Sequence, residues 1–229
     1  MNFLLHRHLA ERELASPNAG IGAMLPDLWR MADRRVRPAR GGLRADSDTL
    51  GEVLSGIEHH VESDRWFHRA AIFTDGERRT AELLRGAGIG APRIGMFAHV
   101  IWELCLDGAL LRKVGLAATV DALRRGFAET DATSDEAAAL HHWDRAERSA
   151  EERAVFELRM RRLREELARG PWIDGYQDGD GLALRVAGVR ARLGFEPMTH
   201  EDRERLGEVL ARLAEEAIPA LEALLGSRA

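Results

Sequence analysis

Three side chains in the stretch "GIEHHVESDRWFH", residues 56 to 68, have the types and the spacing of a metal site: His60, Asp64 and His68. Positions four apart are neighbours on a helix of 3.6 residues per turn, so a continuous helix would carry all three on one stripe. Ile57, Val61 and Trp66 would supply the apolar surface beside it. A second stripe of the same spacing, His99, Glu103 and Asp107, lies in "HVIWELCLD". Two such stripes facing each other across a helical bundle offer up to six nitrogen and oxygen ligands. Imidazole mixed with carboxylate suits one or two divalent ions of Mn, Fe, Zn or Mg.

Six of the nine histidines fall within the first 99 residues, on separate segments, which gives the stripes further candidates. His6 and His8 are two residues apart and diverge by roughly 200° around a helix, so one of them at most faces a site inside. Both are expected near the site. Asp27, in "GAMLPDLW", follows an apolar run where an uncompensated charge would be expensive, and is a further candidate ligand. An isolated histidine on an apolar face is ordinarily a hydrogen-bonded core residue. What favours an ion over that reading is the number of carboxylates that would otherwise be buried without one. His141, His142 and His200 stand in charged surroundings and are expected on the surface.

The elements that must position these residues read as helices throughout, with no strand alternation. The expected fold is an all-α, single-domain helical bundle over residues 1 to 229. The metal-site helices fall in 1 to 112 and the supporting helices in 116 to 229. A first helix runs from Asn2 to about Glu13, "SPNAG" breaks it, and a second covers roughly Gly20 to Arg34. The segment "RPARGGLRADSD" reads as a loop, after which Ser47 or Asp48 caps the helix of the first stripe. "GAGIGAP" reads as a helix end and turn, and Pro92 as the start of the His99 helix. Later helices are expected at about 116–129, 134–168, 172–193 and 200–226.

Composition narrows the chemistry further. Hydrophobic residues make up 45% of the 229, enough for a substantial core. Cys105 is the sole cysteine, so an intrachain disulfide and a cysteine-based zinc site are excluded. A net charge of -5 argues against a nucleic-acid partner held through phosphates. The longest apolar run, "GMFAHVIWELCLDGALL", is interrupted by His99, Glu103 and Asp107 and reads as a buried helix, with no membrane span. The amino terminus lacks a cleavable signal pattern, so a cytoplasmic location is expected. The segment "SAEERAVFELRMRRLREELARG" is a densely charged helix with a solvated face, whose arginines could also meet an acidic partner.

The openings "MNFLLHRHLA", "GAMLPD" and "GIEHHVESD", in this order and spacing, resemble the amino-terminal signature of the acyl carrier protein phosphodiesterases. The tail "WIDGYQDGDGLALRVAGVRARLG" is similar to the later helices of that family. The resemblance implies an all-helical, HD-domain-like fold, a divalent metal, and hydrolysis that removes phosphopantetheine from holo acyl carrier protein or acts on a related small phosphoester. Carried over by position, it implies that Asp27, His60 and Asp64 are metal ligands or their immediate support, with His6 and His8 close by. The chain departs from the family pattern at Val61, where arginine is usual, and at His68, which replaces an acid of a Phe-Thr-Asp element. The family's later Asp-His pair is also replaced by "HVIWELCLD".

A phosphodiesterase of this kind would use the ion to lower the pKa of a water and polarise the phosphoryl oxygen. Asp64, His68 and Glu103 are then the candidates for ligand or acid–base catalyst, and Arg65 and Arg69 for phosphate contact. Arg30, Arg34 and Arg35 are candidates for a basic rim facing an acidic carrier protein. Two other readings compete: a dinuclear iron or manganese enzyme with another substrate, and a non-catalytic helical binding protein whose site has decayed.

Overall fold

A computed structural model describes residues 3–38, 45, 47–90, 94–143, 148–192 and 194–227. The fold is all-α. Its helices are α1 (Phe3–Leu14), α2 (Pro17–Ala32), α3 (Asp48–Phe67), α4 (Ala71–Gly86), α5 (Ile94–Val114) and α6 (Leu116–Ala138), then a π-helical segment (Ala139–Trp143). They are followed by α7 (Ala150–Arg169), α8 (Pro171–Asp174), α9 (Gly179–Arg192) and α10 (His200–Gly226), and no strand occurs among the described residues. Asn2, Pro92, and residues 39–44 and 46 of the expected loop lie outside the described residues.

The helices form two compact units, each built from two separate stretches of chain. One comprises Phe3–Trp66 and Ala117–Gly170, the other chiefly Phe67–Leu116 and Pro171–Ala229. Each therefore draws on both halves of the sequence.

In the first unit α2 is the central element. Ser16 caps it by accepting from the Ala19 amide at 3.1 Å, and Pro17 sits in the first turn where its missing N–H costs nothing. Every residue from Ala19 to Trp29 is buried. The helix α1 packs along α2, and α7 lies against it as well. Glycines allow α3 to reach it. A methyl group added at Gly22 would collide with the Val53 carbonyl, and one at Gly56 with the Ala19 carbonyl, so the two backbones touch where only hydrogen fits. The carboxyl end of α2 is closed by arginines: Arg159 of α7 donates to the Ala32 carbonyl at 2.9 Å, and Arg35 and Arg148 hold Asp33 at 2.9 and 2.6 Å. Hydrogen bonding from Arg35, opposed by burial and reinforced by Arg148, keeps the Asp33 carboxyl well below the usual carboxylate range. Part of the arginine-rich face of α7 thus serves the fold, and Arg164 likewise pairs with Asp131 and Asp135 of α6.

In the second unit α5 is the core helix. It is long and apolar enough to cross a membrane, but most of it is buried within the protein, including Glu103, Asp107 and Cys105. Burial pushes the Cys105 thiol up to about 12. Helix α4 comes close to α5 because Gly76 leaves room for the Trp102 ring, and Gly108 meets the Tyr176 carbonyl in the same way. Helix α10 packs on α4, α5 and α9, with Arg79 bridging α4 to Glu216 of α10 through two 3.1 Å hydrogen bonds.

Two expectations need correction. The segment 134–168 is not one helix: α6 passes into the π-helical turn, and α7 restarts at Ala150 behind a capping box in which Ser149 and Glu152 satisfy each other's backbone amides. His141 and His142, expected on the surface, are buried, and the His141 ring stacks on Trp29 at 5.7 Å. A π turn takes in an extra residue, so the side chains at and beyond it rotate away from the face that a 3.6-residue period assigns.

Candidate metal centres

The structure divides the candidate ligands between two clusters, one inside each unit. His6, His60 and Asp64 come together in the first, and His68, His99 and Glu103 in the second; within each group the three ligand atoms lie within 4.8 Å of one another. The expected single stripe on α3 does not form. Helix α3 stops at Phe67, whose ring packs on Phe73 at 4.5 Å, and His68 stands in the turn before α4.

The first cluster depends on the close crossing of α2 and α3. His60, on α3, reaches the Ala23 carbonyl of α2 with Nδ1 at 2.8 Å. A carbonyl only accepts, so Nδ1 carries the proton, and in the neutral ring Nε2 has the lone pair. His6, on α1, reaches Ser63 with Nδ1 at 3.1 Å, while the Ser63 hydroxyl donates to the His60 carbonyl at 3.2 Å. With the hydroxyl hydrogen directed to that carbonyl, Ser63 accepts from His6, and in this tautomer the lone pair of that ring also falls on Nε2. The two rings are stacked at 4.0 Å, and His6 Nε2 lies 3.8 Å from Asp64 Oδ1. Both imidazoles are buried, whereas the Asp64 side chain is 39% exposed, so the cluster opens to solvent on the carboxylate side. Two imidazole nitrogens and a carboxylate, each ring fixed through its other nitrogen, form a donor set suited to a divalent ion.

The remaining expected residues of this unit take other places. Asp27 is buried on α2, one helical turn beyond Ala23, and is not among the three grouped side chains. His8 is half-buried on α1, and His59, beside His60, pairs with Glu13 at 2.8 Å. Arg65 is exposed at the end of α3. Of the expected basic rim, Arg30 and Arg34 are exposed, and Arg35 is engaged by Asp33 and Glu152.

In the second cluster two imidazoles converge on one carboxylate oxygen. His68 Nε2 and His99 Nε2 lie 3.4 and 3.2 Å from Glu103 Oε1, and the second nitrogen of His99 faces Glu77 at 3.5 Å. The Phe73 ring stands edge-on to His99 at 4.8 Å and lies 4.9 Å from His68, walling the cluster on one side. Burial works to raise the Glu103 carboxyl, but hydrogen bonds from His68 and His99 and the charge of His99 act to hold it well below the usual carboxylate range. Burial opposes protonation of His99, and the Glu103 hydrogen bond with the charges of Glu103 and Glu77 outweighs it, so His99 is held above the usual histidine range. Asp107, one turn further along α5, is fully buried and belongs to neither group, and Arg69 is exposed in the turn after His68.

Ser63, Ala23 and Glu77 are the participants that sequence reasoning missed. Ser63 and Ala23 act through tertiary hydrogen bonds, for which the local pattern carries no signal. Glu77, in "DGERR", looks like any solvated helix carboxylate. No protein family, curated protein or solved structure matches the chain.

Proposed function

We propose that the chain is a metal-dependent phosphodiester hydrolase whose ion is held by His6, His60 and Asp64. The observation that carries this reading is the anchoring of both δ-nitrogens, by Ser63 and by the Ala23 carbonyl, which turns both ε-nitrogens toward the role of ligand. The resemblance to the acyl carrier protein phosphodiesterases supports it independently, since His60 and Asp64 are two of the residues it carries over. Asp27, the third, is buried on α2 one turn beyond the Ala23 carbonyl that holds His60, outside the group of three.

A divalent ion of Mn, Fe, Zn or Mg supplies Lewis acidity toward a phosphoryl oxygen and a water of lowered pKa. The residues do the rest. Asp64, the most exposed of the three, would take the proton of the attacking water on the carboxylate oxygen that does not hold the ion, and Arg65 would offer charge to the phosphate oxygens from the next position on α3. Water adds to phosphorus, the P–O bond to the leaving alkoxide breaks, and the proton that Asp64 took passes to the departing oxygen. For holo acyl carrier protein the products are free phosphopantetheine and the apo carrier, whose acidic surface would meet Arg30 and Arg34.

The test is hydrolysis of bis(p-nitrophenyl) phosphate and of holo acyl carrier protein after reloading the protein with each ion. Turnover that needs the ion and falls at least ~100-fold in His60→Gln is expected. Equal turnover by wild type and His60→Gln, or none with any of the four ions, would overturn the reading.

A further inference from the structure

The geometry points to a second, separate metal site in the other unit, formed by His68, His99 and Glu103 and suited to a borderline divalent ion such as zinc. The distances favour an ion over a simple ion-pair network. A charge-assisted N–H···O bond closes to about 2.7–2.9 Å. Here two nitrogens stand off the same oxygen at 3.4 and 3.2 Å. In a tetrahedral site with bonds of about 2.0–2.1 Å, neighbouring ligand atoms are about 3.3 to 3.4 Å apart, close to the separation of each imidazole nitrogen from the Glu103 oxygen, and the three ligand atoms lie within 4.8 Å of one another.

The surroundings are those of a metal ligand set. Glu77 lies 3.5 Å from Nδ1 of His99, where its negative charge favours a proton on that nitrogen and leaves Nε2 to bind. Glu103 is 4% exposed, whereas His68 and His99 are 31 and 28% exposed, so an ion would be reached from the imidazole side and would keep a position for water. Two histidines and one glutamate, without sulfur, select zinc and its neighbours over the larger alkaline-earth ions.

Cobalt(II) is the probe, because its visible absorption reports coordination without any assay of turnover. In a His60→Gln background, which lacks the first cluster, we expect one equivalent of cobalt per chain with the strong absorption of a four- or five-coordinate ion. That equivalent should disappear on adding His99→Gln or, as a second variant with a more exposed side chain, His68→Gln. Glu77→Gln should weaken it by ~10 to 100-fold. Helicity by circular dichroism identifies variants that retain the fold. No cobalt bound by a folded His60→Gln protein, or an equivalent that persists when His99 and His68 are both replaced, would overturn the proposal.

Discussion

At the scale of single residues, the first cluster depends on which imidazole nitrogen carries the proton. Ser63→Ala removes the acceptor of His6 Nδ1 and frees that ring to turn, so metal affinity is expected to fall by ~10 to 100-fold in a calorimetric titration. Its cost to the apoprotein should be only ~1 kcal/mol by urea unfolding. A second prediction concerns Asp33. Its carboxyl is depressed in the folded chain, so its contribution is fully present above the unfolded value near pH ~4 and is lost as pH falls below that. Asp33→Asn should therefore cost ~1.5–3 kcal/mol at pH 7, with the penalty shrinking steadily below pH ~4. A penalty that does not change between pH 7 and pH 2 would contradict the assignment. The grouped side chains were partly legible in the sequence: His60, Asp64, His68, His99 and Glu103 stand out by type and period, whereas His6 was expected only near the site. Their partition into two groups was not, because the helix carrying His60 ends at Phe67 with neither glycine nor proline to mark the stop.

At the scale of elements, the α2–α3 crossing sets the site. Gly22 and Gly56 let the backbones meet, and the same closeness brings His60 within 2.8 Å of Ala23. Gly56→Ala or Gly22→Ala must push the helices apart, costing ~1–3 kcal/mol or more and weakening metal binding although neither residue is a ligand. An alanine variant as stable as wild type with unchanged affinity would show that the crossing is not limiting. Helix starts were readable where a side chain caps them, as at Ser47, whose hydroxyl accepts from Leu50 at 3.1 Å. The start of α7 behind Ser149 was equally written in "SAEE", but the charged periodicity on either side ran straight through it and hid the break. The close crossings were invisible, since a glycine in a helix pattern does not announce which backbone it meets.

At the scale of the whole molecule, each unit closes only when the second half of the chain has been added. Helix α5 lacks its α9 and α10 partners until residues beyond 171 arrive, and α2 lacks α7. A fragment of residues 1–116 is therefore expected to keep helical content but to lose near-ultraviolet circular dichroism and a cooperative urea transition. A fragment that unfolds cooperatively would refute this. The all-α class was legible from the 3.6-residue period alone, whereas the interleaving of the two units follows from long-range packing that no local pattern records.

Cys105 gives the second unit a built-in clock. A lone thiol with no solvent contact in the core helix is protected from alkylation until α5 opens. Its labelling rate then counts excursions of that helix, one molecule at a time, against a background free of competing thiols. Because an ion bound only to the closed form lowers the open population in proportion to its occupancy, labelling should slow on adding zinc and recover on chelation.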